Sequence, residues 1–139
     1  MPKILVVDDI PEIVDFSKEF LEDAGFEVRT AGTAPAAIAI QKDFKADVIL
    51  QDLNIPDGGG MLVYETLRAC RDMAPIIFST GAPESIGDIS TLINVSMLRK
   101  PTAPEALMAE VKKQIVRSSA AEPQMNPPPP PPPGRPSLK

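Results

Sequence analysis

Three aspartates, a threonine and a lysine stand at the ends of separate apolar runs in this chain of 139 residues. Asp8 and Asp9 follow "KILVV" (3–7), Asp52 follows "DVILQ" (47–51), Thr80 closes "PIIFST" (75–80) just after Ser79, and Lys100 follows "SMLR" (96–99). An apolar run that ends on a carboxylate sets a charge at the rim of a core. Taken alone, Asp52 has three roles open to it: turn residue, metal ligand or nucleophile. Three carboxylates drawn together repel one another unless a proton or a cation relieves them. Mg²⁺ suits that task, because it takes one or two carboxylates, some carbonyl oxygen and several waters in an octahedral shell. Such a shell leaves room for a phosphate oxygen, so the set is suited to phosphoryl chemistry.

Composition narrows the choice. The chain contains no histidine and one cysteine, Cys70. Ser-His-Asp and Cys-His catalysis, His-metal sites and the usual zinc sets are therefore excluded. A bound metal would be hard and oxygen-ligated, which leaves Mg²⁺ or Ca²⁺. The net charge of −5 argues against a nucleic-acid surface, which needs clustered Lys and Arg. No apolar run approaches the ~20 residues of a membrane span, and the amino terminus is too short and too early charged for a signal peptide. The expectation is a cytoplasmic protein.

The elements that must position these residues follow from periodicity. Five short apolar runs (3–7, 26–31, 47–51, 75–80 and 96–99) read as strands, and they alternate with helical patterns. The first helix runs from "DDIP" to about Ala24, with Asp9 able to cap it, Pro11 in its first turn and Gly25 just past its end. The others are expected over 34–44, 61–71, about 84–93 and 103–116. In the third, Leu62, Leu67 and Cys70 are expected to face inward, with Cys70 a buried small hydrophobe. Alternating strands and helices imply a parallel sheet covered on both faces, and right-handed crossovers make it doubly wound. In such sheets the site lies beyond the carboxyl ends of the strands, so the five chemical residues face one crevice. The folded domain is expected over 1–117. Residues 118–139 are expected to form a disordered proline-rich tail, with seven consecutive prolines at 127–133, a tract that favours polyproline II.

The set "VVDD", "DLNIPDGG", "PIIFSTG" and "LRKP" resembles the receiver domain of two-component response regulators, in that family's order and with nearly its spacing over residues 3 to about 117. The resemblance implies a flavodoxin-like α/β fold with strand order 2-1-3-4-5 and a cis bond before Pro101. It implies that Asp52 is the phosphoacceptor and that Asp8 and Asp9 are the acidic pair which, with Asp52 and the carbonyl of Asn54, holds Mg²⁺. Thr80 would be the switch hydroxyl that moves onto the phosphate, and Lys100 would pair with it. Ser79 reads as a strand-end filler, and Asp57 as a turn residue of "PDGGG". Two positions depart from the pattern. Met97 stands where the family usually has Tyr or Phe, and the stretch from Thr80 to Lys100 is about two residues short.

The implied function is a phosphoacceptor switch rather than a turnover enzyme. With no histidine of its own, the chain would take its phosphoryl group from a sensor histidine kinase, a phosphotransfer protein or a small acyl phosphate. Output would be contact with a downstream protein. The alternative is a receiver-like scaffold that binds partners whatever its phosphorylation state, with the proline tract as a peptide ligand. An Mg²⁺-dependent phosphatase is disfavoured, because no carboxylate follows Asp52 at DxD spacing.

Overall fold

The computed structural model describes residues 2–82 and 91–121, with side chains to Arg117. In chain order the elements are β1 (Lys3–Val7), α1 (Pro11–Asp23), β2 (Glu27–Ala31), α2 (Ala34–Phe44), β3 (Val48–Asp52), α3 (Gly59–Ala69), β4 (Ile76–Thr80), β5 (Val95–Arg99) and α4 (Pro104–Ala121). All five strands pair in parallel in the order β2-β1-β3-β4-β5, as the resemblance implied. The helix expected at about 84–93 falls largely outside the described residues, and the proline run lies wholly outside them.

Strand side chains alternate between faces, and the core divides accordingly. On one face Leu5, Val7, Ile49, Ile76 and Phe78 pack with Ala37 and Phe44 of α2 and with Val63, Tyr64 and Leu67 of α3. On the other, Ile4, Val6, Val48, Leu50 and Ile77 pack with Leu21 of α1 and with Leu107 and Val111 of α4. β3 lies at the centre and is buried along its whole length, which is why its sequence is a continuous apolar run rather than an alternating one.

Local chemistry sets the helix ends. Pro11 begins α1 as expected, but the residue before it, Ile10, occupies the cap position without a side-chain bond, so Asp9 is not the cap. The Asp8 carboxylate instead accepts from the Ile10 N–H at 3.0 Å and holds the turn. Thr33 caps α2 through a bond from the Ala36 N–H at 3.2 Å. α3 starts two residues earlier than periodicity suggested and ends at Ala69, and its buried stripe is Gly60, Val63, Tyr64 and Leu67. Leu62 lies off that stripe and Cys70 lies at the cap past the last turn, so both are exposed, contrary to expectation, and only Leu67 of the three faces inward. α4 continues to Ala121, past the boundary expected at Arg117. Apolar periodicity misses that extension, since "SSAA" carries no packing stripe while alanine still favours the helix.

One arginine ties the lower edge of the sheet together. The Arg68 guanidinium lies over the Tyr64 ring, 5.1 Å from its centroid. It donates to the carbonyls of Asp72 (2.7 Å), Ala74 (3.0 Å), Ile93 (2.9 Å) and Asn94 (3.3 Å). The Tyr64 hydroxyl accepts from the Ile93 N–H at 2.8 Å, so α3 grips the chain just before both β4 and β5. Arg68→Met keeps the stacked stem but removes every donor. It is expected to lower the urea midpoint by the equivalent of about 2–3 kcal/mol. Arg68→Lys should recover only part of this loss, because an ammonium lacks the planar fork that reaches several carbonyls at once.

Candidate functional site

Each strand delivers its residue to the same edge. Asp8 follows β1, Asp52 is the last residue of β3, and Lys100 follows β5. Asp8, Asp9 and Asp52 each present a carboxylate oxygen within 4.8 Å of the others; Asp8 and Asp52 are buried and Asp9 is exposed. The Lys100 ammonium is 3.1 Å from Asp8 Oδ2 and 3.5 Å from Asp52 Oδ2, so it is a paired site residue rather than a solvated loop lysine. The Asp52 carboxylate also accepts from the Asn54 N–H at 3.2 Å. The Lys100–Pro101 bond is cis.

Burial, the largest influence, raises the Asp52 pKa above the ordinary value; the Asn54 N–H lowers it, the Asp8 charge raises it, and Lys100 lowers it. The net shift is upward, as expected of a carboxylate that has lost water and gained a like-charged neighbour. One lysine does not compensate three carboxylates. The donor set is all oxygen, close and partly open to solvent, and this fits a hard divalent cation.

Asp52 is fixed from behind by the turn into α3. Asp57, Gly58 and Gly59 have positive φ angles of 63°, 124° and 74°, which places the strained residues in the "PDGGG" turn and agrees with a turn role for Asp57. Gly60 then packs directly on the strand end: a Cβ there would sit 2.8 Å from the Asp52 carbonyl oxygen.

Thr80 and Ser79 differ from expectation in their placement. Thr80 is buried at the end of β4, in register with Arg99, and its hydroxyl oxygen accepts from the Ala82 N–H at 3.0 Å. Ser79 is the residue in register with Asp52. It lines one cavity with Asp8, Asp52 and Lys100, while Thr80 does not. Strand alternation explains this, since neighbours in register share a face and Thr80 lies one residue on. A register for β3 against β4 would have shown it, but the sequence alone does not supply one.

Binding of Mg²⁺ at this site is expected to raise the thermal midpoint by several degrees, equivalent to about 2.7 kcal/mol at a hundredfold excess over Kd. Calorimetry with and without chelator checks it, and Asp8→Asn should remove most of the gain.

Fold and site together define a flavodoxin-like α/β domain with an acidic, lysine-paired cluster at the carboxyl ends of its strands. The model of the response regulator receiver domain matches residues 4–112. The chain is 33% identical over 123 residues to the alkaline phosphatase synthesis transcriptional regulatory protein PhoP of Bacillus subtilis, covering 87% of this chain and 51% of that one. It is 26% identical over 118 residues to the cell cycle transcriptional regulator CtrA of Caulobacter vibrioides, covering 84% and 51%. Among solved structures, the chemotaxis protein CheY4 of Vibrio cholerae matches with TM-score 0.74 and 31% identity, over 81% of this chain and 98% of that one. A CheY-like receiver domain protein from Methanospirillum hungatei matches with TM-score 0.77 and 27% identity, over 86% and 98%. The chain belongs to the response regulator receiver domain family. It spans about half the length of the curated relatives it matches. No helix among the described residues is long and apolar enough to cross a membrane.

Proposed function

We propose that the chain is a phosphoacceptor switch in which Asp52 receives a phosphoryl group from a sensor histidine kinase or a phosphotransfer protein. The observation that carries this reading is the convergence of Asp8, Asp9 and Asp52 within 4.8 Å, with Lys100 bound to two of them. Asp8, Asp9, Asp52 and the carbonyl of Asn54 would hold Mg²⁺, which supplies charge neutralisation at the phosphoryl oxygens.

The chain's own groups do the rest. An Asp52 oxygen attacks phosphorus, the bond from phosphorus to the donor atom breaks, and the donor leaves with that electron pair. Asp52 is a weak nucleophile in water, but toward phosphorus position and charge cancellation suffice. The Asn54 N–H holds the carboxylate in place. Lys100 stands between Asp8 and Asp52 and can follow the negative charge onto the phosphoryl group. The Thr80 hydroxyl can exchange its turn contact with Ala82 for a bond donated to the acyl phosphate. A bond that exists only after modification favours whichever conformation brings Thr80 inward. The signal then leaves through contact with a downstream protein.

Incubation with acetyl phosphate and Mg²⁺, followed by intact-mass measurement, tests the reading. One phosphoryl group per chain is the expected result, and an unmodified mass would overturn it.

A further inference from the structure

α1 and α4 pack on the same face of the sheet, and an apolar groove runs between them. At its upper end, beside the site, it widens into a cavity of about 510 Å³ lined by Asp8, Glu12, Ile13, Phe16, Lys100 and Leu107. Farther down it is lined by Phe20 of α1 and by Pro104, Met108 and Lys112 of α4. Phe16 and Phe20 stack with ring centroids 5.6 Å apart and link the two stretches. Phe16 is 50% exposed, so this wall is turned to solvent rather than into the core. Ser17, only 4% exposed, also lines the cavity, and its hydroxyl has no hydrogen-bond partner among the described residues. Glu12 likewise has no ion pair among them. The groove thus combines an aromatic wall, an unused hydroxyl and an excess of negative charge at its mouth.

We propose that the chain's own residues 127–136 occupy this groove, with the proline run on Phe20 and Phe16 and with Arg135 beside Glu12 and Asp8. Chemistry selects this occupant first. Seven prolines followed by Gly134 and Arg135 make an apolar rod that ends in a cation, and polyproline II segments seat in aromatic-lined grooves. A proline run carries carbonyl acceptors and no N–H donors, so it offers the Ser17 hydroxyl the one kind of partner that hydroxyl lacks. Charge agrees, because Asp8, Glu12 and Asp52 face a single lysine, Lys100, at the mouth, and Arg135 and Lys139 bring the opposite sign. Reach agrees as well. α4 begins at Pro104, just past Lys100, and its 18 residues carry the chain roughly 27 Å away from the site. Residues 122–135 span about 43 Å in polyproline II, enough to turn back and return along the same helix to the mouth. A docked Arg135 sets positive charge beside the carboxylates that would hold Mg²⁺, so the tail weakens metal binding and restrains the switch. That consequence rests on the proposed metal site, whereas the contact itself does not.

The test uses the full chain, with Cys70→Ser to remove the native thiol and Ser137→Cys to carry a nitroxide. Paramagnetic broadening is read at the methyl groups of Ile13, in the cavity wall, and of Met73 and Ile93, exposed residues that precede β4 and β5 at the lower edge of the sheet. A docked tail is expected to erase most of the Ile13 intensity and to spare Met73 and Ile93. A tail that leaves α4 without docking stays nearer the lower edge. Broadening of Met73 and Ile93 at least as strong as that of Ile13 would therefore overturn the proposal. Phe16→Ser and Arg135→Glu should each restore most of the Ile13 signal, and unchanged broadening in either would also overturn it. Broadening seen when nitroxide and isotope label sit on different molecules would assign the groove to a second copy's tail and overturn the intramolecular contact. For the consequence, calorimetry of Arg135→Glu is expected to show Mg²⁺ binding tightened about threefold, the scale of a partly exposed charge pair. An unchanged Kd would overturn the restraint on the metal. Chains that bind no Mg²⁺ at all would overturn the metal site, while the nitroxide result decides the contact by itself.

Discussion

Asp52→Asn is expected to abolish phosphoryl gain from acetyl phosphate and yet to make the metal-free protein more stable at neutral pH. The first result follows from the nucleophile, since an amide oxygen in place of the carboxylate carries no charge with which to attack phosphorus. The second follows from the environment. Asp52 is buried beside Asp8, and its pKa in the fold stands above the ordinary 3.8. The folded state therefore holds the Asp52 proton to higher pH than the unfolded chain does. The stability tied to that proton is complete below the ordinary value and is lost as pH rises through the raised one. At pH 7 the wild type carries the ionised, partly dehydrated carboxylate and the variant does not. A gain of roughly 1 kcal/mol without metal is expected. Chemical denaturation at pH 4 and pH 7 checks the sign, because the advantage of the variant should grow with pH. With saturating Mg²⁺ the ranking should narrow or reverse, as the charge that destabilises the empty site becomes the ligand that binds the ion. A variant that is still phosphorylated, or that is less stable than wild type at pH 7 without metal, would contradict this account.

Lys100→Met separates binding from reaction. The methionine fills the space of the stem but removes the ammonium that lies 3.1 Å from Asp8 and 3.5 Å from Asp52. Phosphorylation should slow by roughly 10²-fold, the usual loss when one charged group aimed at the developing phosphoryl charge is deleted. Affinity for Mg²⁺ should rise, because a cation that competes for the same carboxylates has gone. Rates from intact-mass time courses and Kd from calorimetry give the two numbers. A parallel loss of both would mean that Lys100 holds the site's shape rather than its charge balance.

These two variants act on residues that the sequence already marked, whereas several neighbours were not legible there. Asp8 and Asp52 could be found because each ends a strand with a plain apolar run, and Lys100 because it follows a shorter strand that parallel pairing delivers to the same edge. Ser79 reads in the sequence as a strand-end filler; that it lines the cavity beside Asp52 depends on register, which is a relation between two strands rather than a property of one. Leu62 was assigned inward although it falls off the stripe of Gly60, Val63, Tyr64 and Leu67, and Cys70 because the helix was carried past Ala69, where the chain has already reached the cap. The early start depends on Gly60, which lets the helix begin against the Asp52 carbonyl where any side chain would collide. Asp9 had the right residue type for a cap, but the chain placed Ile10 in that position and left Asp9 beside the carboxylate pair.

By itself, then, the sequence determined the architecture and the inventory of the site. Strand and helix periods are local, and a doubly wound sheet buries the continuous apolar runs of its central strands between amphipathic helices. Tertiary structure alone decided the distances: which carboxylates Lys100 bridges and which side of β4 meets Asp52. Those depend on strand register and on the packing of α1 and α4 across the sheet, where residues far apart in the chain fix one another's position.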